Sequence, residues 1–212
     1  MISLKKAVIF DLDGTLWDST HQIVPAWNEH IKQQGYSYTF SHQDSCNCMG
    51  KTTPEIAAML FPELSPEEGL KLVCGCCDAE VEALLKTGGT LYPALRETLT
   101  KLKEKYHLYI VSNCEDGYIQ SFLTFHDFWD IIEDFECIGR TGKVKGENIK
   151  LVMERNGIDS AIYVGDTPSD YAATKIAGVP FLWASYGFGK VEHVPFLSSI
   201  SEICGKADEM LG

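Results

Sequence analysis

Two carboxylates one residue apart, Asp11 and Asp13, close the apolar run Ala7-Val8-Ile9-Phe10 and are followed by Gly14 and Thr15. Acids this close repel each other unless a cation or a shared proton relieves them. A hard divalent ion with oxygen ligands gives that relief, and Mg²⁺ is the usual one where phosphate is handled. Two later apolar runs also end in polar groups: residues 108–111 lead to Ser112-Asn113, and residues 161–164 lead to Gly165-Asp166, with Asp170 one helical turn beyond. Together with a lysine these make a phosphoryl-transfer set: a carboxylate nucleophile, a hydroxyl and backbone amides for the phosphoryl group, a cation for its charge, and further carboxylates for Mg²⁺. Each also has an ordinary role, since Ser and Asn form turns and Asp caps helices.

Strands are needed to bring these groups together. Residues 7–10, bounded by Lys5-Lys6 and by Gly14, read as a short strand buried on both faces, as in a parallel sheet with helices on either side. Gly14 lets the chain turn away and leaves Asp11 approachable. Residues 108–111, 161–164 and 179–183 read as further strands, with a hydrophobic stretch at 135–138. Helical spacing, caps and glycine stops predict helices over 17–34, 54–60, 65–85, 93–105, 117–125, 145–155 and 170–177, and a short one near Ser201. Residues 36–44 read as a polar loop. No strand signal lies between Leu16 and Thr90, whereas strands and helices alternate afterwards. The predicted fold class is therefore α/β, a doubly wound, Rossmann-like parallel sheet formed by 1–16 and 90–212, with an all-helical insertion at 17–89. In such a sheet the carboxyl ends of the strands share one edge, so Asp11, Ser112-Asn113 and Asp166 are expected to converge.

Composition sets the surroundings. A chain of 212 residues, 45% of them hydrophobic, can bury a full core plus a modest second module. The net charge of −12 and pI near 4.9 oppose nonspecific nucleic-acid binding and attachment to anionic membranes, so an anionic substrate has to be held locally. The amino terminus enters the first strand with no long apolar leader, and no window approaches a membrane span, so a cytoplasmic location is expected. Eight cysteines include Cys46-Asn47-Cys48 and Cys74-Gly75-Cys76-Cys77. Neither cluster has paired CxxC spacing, so reduced thiols filling helix contacts are preferred to disulfides or a zinc site. Nothing in the sequence sets an oligomeric state.

Asp11-Leu12-Asp13-Gly14-Thr15 resembles the first motif of the haloacid dehalogenase (HAD) superfamily of phosphohydrolases. Ser112-Asn113 resembles its second motif, Lys145 its third, and Gly165-Asp166-Thr167-Pro168-Ser169-Asp170 its fourth, in the right order along nearly the whole chain. The inserted helices are similar to the cap of the phosphoglycolate phosphatase and β-phosphoglucomutase branch. The resemblance implies that Asp11 attacks phosphorus to give an aspartyl-phosphate and that Asp13 serves as general acid and then general base. It implies Mg²⁺ as cofactor, held by the carboxylates of Asp11 and Asp166 and by the backbone carbonyl of Asp13. Ser112 and Asn113 would bind phosphate, Lys145 would neutralise charge, and Asp170 would orient Lys145 or metal-bound water.

The lysine departs from the family's usual Lys-Pro: this chain has Lys143-Val144-Lys145-Gly146, so Lys143 is a rival. Lys145 is preferred because it directly precedes the helical pattern. In the insertion, Gly50-Lys51-Thr52-Thr53 is the candidate substrate loop, with Lys51 and Thr52 as contacts, although Lys51 reads equally as a solvated residue before Pro54. The expected partner is a small soluble phosphomonoester, phosphoglycolate-like or a sugar phosphate. A β-phosphoglucomutase-like phosphomutase is the alternative, against which Thr15 argues. A non-catalytic module or a dehalogenase fits the retained acidic motifs less well.

Overall fold

The computed structural model describes residues 4–212; residues 1–3, where the segment read for a leader begins, lie outside the described residues. Strand β1 (Lys6–Phe10) leads through the Gly14 turn into a two-residue strand β2 (Trp17–Asp18). Helices α1 (Thr20–Gln33), α2 (His42–Cys48), α3 (Thr53–Leu60) and α4 (Pro66–Thr87) follow, and β3 (Thr90–Leu91) returns to pair antiparallel with β2. Then come α5 (Leu95–Leu102), β4 (His107–Ser112), α6 (Tyr118–Phe125), β5 (Asp134–Cys137) and the one-turn α7 (Ile138–Thr141). The chain ends with α8 (Lys145–Asn156), β6 (Ser160–Gly165), α9 (Pro168–Ala177), β7 (Phe181–Ala184), β8 (Phe196–Leu197) and, after a 3₁₀ turn, α10 (Ile203–Leu211).

The main sheet is wholly parallel, in the order β5-β4-β1-β6-β7-β8. This is the predicted α/β, doubly wound architecture. Alternate residues of β1 enter opposite cores: Val8 and Phe10 pack on one face, Ala7 and Ile9 on the other, and none of the four is accessible to solvent. The order runs outward in both directions from β1, so the polar ends of β4, β1 and β6 lie side by side at a topological switch point, where such sheets bind ligands.

Two parts of the insertion differ from the sequence reading. The predicted absence of strands between Leu16 and Thr90 misses β2, at the start of the insertion, which pairs with β3 just past its end. Two residues are too few for an alternating pattern to register. The predicted loop at 36–44 ends in α2 instead, opened by a capping box in which Ser41 and Asp44 bond each other's backbone. Helix α1 begins at Thr20 rather than Trp17, carries Pro25 within it, and buries Ile23, Trp27 and Ile31. The long helix α4 packs on α1 and α3 and also on α6, which joins the inserted helices to the sheet layer. No helix among the described residues is long and apolar enough to cross a membrane.

Candidate active site

Asp11 continues the ladder one residue beyond β1, its N–H donating to the Val164 carbonyl at 2.8 Å. Its carboxylate is buried; Oδ2 lies 3.1 Å from Lys145 Nζ, and Oδ1 has no hydrogen-bond partner. Lys145 opens α8 and is itself buried, with Nζ 2.6 Å from Asp170 Oδ1. Lys143 is exposed, so the geometry favours Lys145. Gly146 supplies the reason that this chain has no proline after the lysine. A side chain there would place its first carbon 2.6 Å from Ile176 Cβ and 2.7 Å from the Ala173 carbonyl, so glycine lets α8 press against α9 and bring Lys145 to Asp170.

The segment from β6 to α9 holds two acids in different ways. Asp170 completes a capping box with Thr167: its Oδ2 accepts from Thr167 Oγ1 at 2.7 Å, from Thr167 N at 2.9 Å and from Asp166 N at 3.2 Å. Its other oxygen takes Lys145, so capping and charge pairing coexist on one side chain. Asp166 Oδ2 accepts from Phe188 N at 2.7 Å, while Oδ1 is buried and unpartnered. Gly14, at φ +76°, faces this carboxyl so closely that a β-carbon would fall 2.2 Å from Asp166 Oδ2. The turn after β1 therefore needs glycine for its conformation and for its clearance.

Asp13 points the other way. Its Oδ1 accepts from Trp17 Nε1 at 2.9 Å, Ser19 Oγ at 3.0 Å and Tyr118 Oη at 2.9 Å, and Ser19 Oγ and Tyr118 Oη lie 2.7 Å apart. Trp17, Ser19, Tyr118 and Phe188 are site residues the sequence reading missed. Tyr118 and Phe188 reach their partners only through the fold, whereas Trp17 and Ser19 follow the acid motif closely enough to have been considered.

Asp11, Asp13, Ser112 and Asn113 form the floor of a cavity of about 70 Å³ whose far side is made by the inserted helices. Asn113 is tied to the insertion, its Nδ2 donating to the Gly50 carbonyl at 3.1 Å. Lys51 is exposed and lines the cavity. Thr52 is not among the lining residues: its hydroxyl donates to Glu55 at 2.7 Å and helps cap α3. Thr53 takes the place at the cavity that was expected of Thr52, donating its hydroxyl to Glu115. The cysteines are free; Cys48, Cys76 and Cys77 are buried in the helical insertion, in keeping with the preferred packing role.

Burial foremost, then the negative charge of Asp170, pushes the Asp11 carboxyl well above its ordinary range, against the pull of Lys145. Burial pushes Asp166 up to about 7, assisted by Asp170 and opposed by the Phe188 N–H. Loss of hydration pushes Asp13 up to about 6, against the hydrogen bonds from Tyr118, Ser19 and Trp17. Burial pulls the Lys145 pKa down, but Asp11 and Asp170 outweigh it and hold the lysine above its usual range. Carboxylate oxygens of Asp11, Asp166 and Asp170 approach within 4.8 Å of one another, the one such group of potential metal ligands among the described residues. With two buried acceptors lacking partners, and the Asp11 and Asp166 carboxyls pushed up foremost by burial, the donor set fits a hard cation.

Fold and site define a class: an enzyme with a carboxylate–lysine centre at the carboxyl edge of a doubly wound sheet. The particular family follows from comparison with known proteins, since residues 8–184 match the sequence model of the haloacid dehalogenase-like hydrolases. The chain belongs to that family and is a hydrolase. It is 26% identical over 203 residues to the phosphoglycolate phosphatase of Rhodospirillum rubrum, covering 88% of this chain and 82% of that one. It is 26% identical over 204 residues to the phosphoglycolate phosphatase of Vibrio cholerae, covering 89% and 88%. Its fold matches a haloacid dehalogenase-like family hydrolase from Streptococcus pneumoniae with a TM-score of 0.81 at 20% identity, over 97% of this chain and 99% of that one. It also matches CbbY from Rhodobacter sphaeroides, solved in complex with phosphate, with a TM-score of 0.78 at 16% identity, over 95% and 96%.

Proposed function

We propose that the chain is a Mg²⁺-dependent phosphatase that hydrolyses a small phosphomonoester through an aspartyl-phosphate on Asp11. The observation that carries this reading is the Asp11 carboxylate: one oxygen is paired with Lys145, the other is buried without a partner, and the residue lines the cavity. Asp11 would attack phosphorus in line and displace the alcohol. Asp13, near pH 6 in its titration, would hand the leaving oxygen a proton and then take one from the water that cleaves the acyl phosphate. Ser112 and Asn113, which line the cavity, would hold the phosphoryl oxygens, and Lys145, paired with Asp11, would answer negative charge on nucleophile and phosphate. Asp170 keeps Lys145 in place. Asp11, Asp166 and the backbone carbonyl of Asp13 would hold Mg²⁺, which supplies charge neutralisation and Lewis acidity for phosphoryl transfer.

In this reading residues 17–89 form a cap that closes the site against water, with Lys51 at its rim. Thr15 fits a hydrolase better than a mutase, and no geometric observation favours the mutase. A panel of phosphate esters assayed with Mg²⁺ tests the proposal. Phosphate release that disappears in Asp11→Asn is the expected result, and release that survives that substitution overturns the mechanism.

A further inference from the structure

The proposed reaction uses the floor of the cavity and leaves its far wall unassigned. Trp27 of α1, Ile56 of α3 and Cys77 and Glu80 of α4 form that wall, with Glu115 beside them. Glu80 is only 8% exposed, and its Oε2 accepts the Trp27 indole N–H at 2.6 Å. The indole, with the Cys77 thiol beside it, holds the carboxyl at the cavity wall, where Glu80 can meet a ligand.

The wall is also short of positive charge. Among the described residues, the acids lining the cavity are Asp11, Asp13, Glu80 and Glu115, and the one basic side chain is Lys51. Lys51 is exposed and sits beside Glu55, whose carboxyl is held low first by hydrogen bonds from Thr52 and in part by the lysine's charge. Lys145 is already engaged by Asp11 and Asp170. Burial, foremost, pushes Glu80 up to about 8, with Asp13 and Glu115 adding to the effect. A substrate carboxylate placed here would meet the same loss of hydration beside existing acids and find no buried cation to offset it. A hydroxyl would find in the protonated Glu80 carboxyl both a donor and an acceptor, and an ammonium would draw the carboxyl into its ionised form as a charge partner. The cavity is small: about 70 Å³ leaves room for a short alcohol part.

We infer that the substrate is a short phosphate ester whose alcohol part ends in a hydroxyl or an ammonium received by Glu80, and that Glu80 selects against a carboxylate in that position. The inference rests on the phosphatase reading above and narrows its substrate. It runs counter to the glycolate ester named for the curated relatives.

Three esters of equal length separate the cases: 2-hydroxyethyl phosphate, 2-aminoethyl phosphate and phosphoglycolate differ only in the terminal group. Steady-state kinetics with Mg²⁺ should give the hydroxyl or ammonium ester a kcat/KM about tenfold or more above that of phosphoglycolate. Glu80→Gln keeps an acceptor for Trp27 and should shrink that preference about tenfold, chiefly through KM. The ranking in the unaltered protein stands as a test even if the variant folds poorly. Preference for phosphoglycolate, a ranking unmoved by Glu80→Gln, or turnover of 4-nitrophenyl phosphate with none of the three esters accepted would overturn the inference while leaving the phosphatase reading intact. No Asp11-dependent release from any of the four would sink both.

Discussion

Asp170 answers two demands with two oxygens, one for the helix it caps and one for the lysine it holds, and the site depends on that economy. Lys145→Met is therefore expected to lower turnover by about 10²–10³-fold, the cost of removing a preorganised charge-stabilising group, while Lys143→Met leaves it near normal. Stopped-time phosphate release on the two variants makes the comparison. A second expectation concerns Asp13. Replacing it with Asn should lower turnover by about 10²–10⁴-fold with a smaller effect on KM, since the proposed acid and base role would act only in the transition state. At this scale the sequence was informative where a motif and a strand end coincide, as at Asp11 and Asp166. It was silent where a partner comes from far along the chain. Tyr118 lies 105 positions from Asp13, and no local pattern marks its hydroxyl as the acid's hydrogen-bond donor. Thr52 and Thr53 show the same limit: side-by-side threonines are equivalent in a string, and only the start of α3 sends one to cap the helix and the other to the cavity.

Elements were read well where burial is uniform. The apolar runs of β1, β4 and β6 have no solvent-facing side to blur them, so their ends, and the acids there, could be located by inspection. The pair β2–β3 escaped because its strands have two residues each, and α2 escaped because its seven residues, HQDSCNC, carry almost no apolar stripe. The Ser41 and Asp44 capping box was a usable signal for α2, since both residues stand in the sequence at the required spacing. The turn between β1 and β2 gives the prediction that belongs to elements. Gly14→Ala forces a left-handed backbone on alanine, costing roughly 1 kcal/mol, and drives a methyl into Asp166 besides. Thermal unfolding should fall by at least about 2–4 °C on the conformational term alone, and the added clash should remove Mg²⁺ binding measured by calorimetry.

The molecule as a whole buries acids whose folded-state pKa values lie above their ordinary ones, and the sign of the consequence follows from linkage. For such groups the folding stability is fully present below the unfolded-state value and is lost as pH rises through the folded-state value. Glu80, ordinarily 4.5 and raised to about 8, therefore costs stability across that interval. Without Mg²⁺, the unfolding midpoint of the protein should fall between about pH 5 and pH 8, and Glu80→Gln should fall by several degrees less. Mg²⁺ bound as proposed would act on the opposite side of the same balance. At a hundredfold excess over its dissociation constant it should add about 2.7 kcal/mol, roughly 5–10 °C for a chain of this size. Asp166→Asn should abolish that increment, and a scan with and without the ion reads it directly.

The ribbon of β2 and β3 joins the inserted helices to the sheet, and Trp17 bolts it down. The indole is wholly buried, packs edge-on against Tyr118 and Phe122 of α6, and lies against Gly89, where a β-carbon would come within 2.6 Å of its ring. If the insertion swings as the proposed cap, its pivot must fall beyond this anchor, between Trp17 and α1 on one strand and at Gly88-Gly89 on the other. Ser19 lies within that hinge span, whereas Trp17 and Tyr118 belong to the anchor. Opening would then shift Ser19 against Trp17 and Tyr118, so the three hydrogen bonds on Asp13 would register whether the lid is shut.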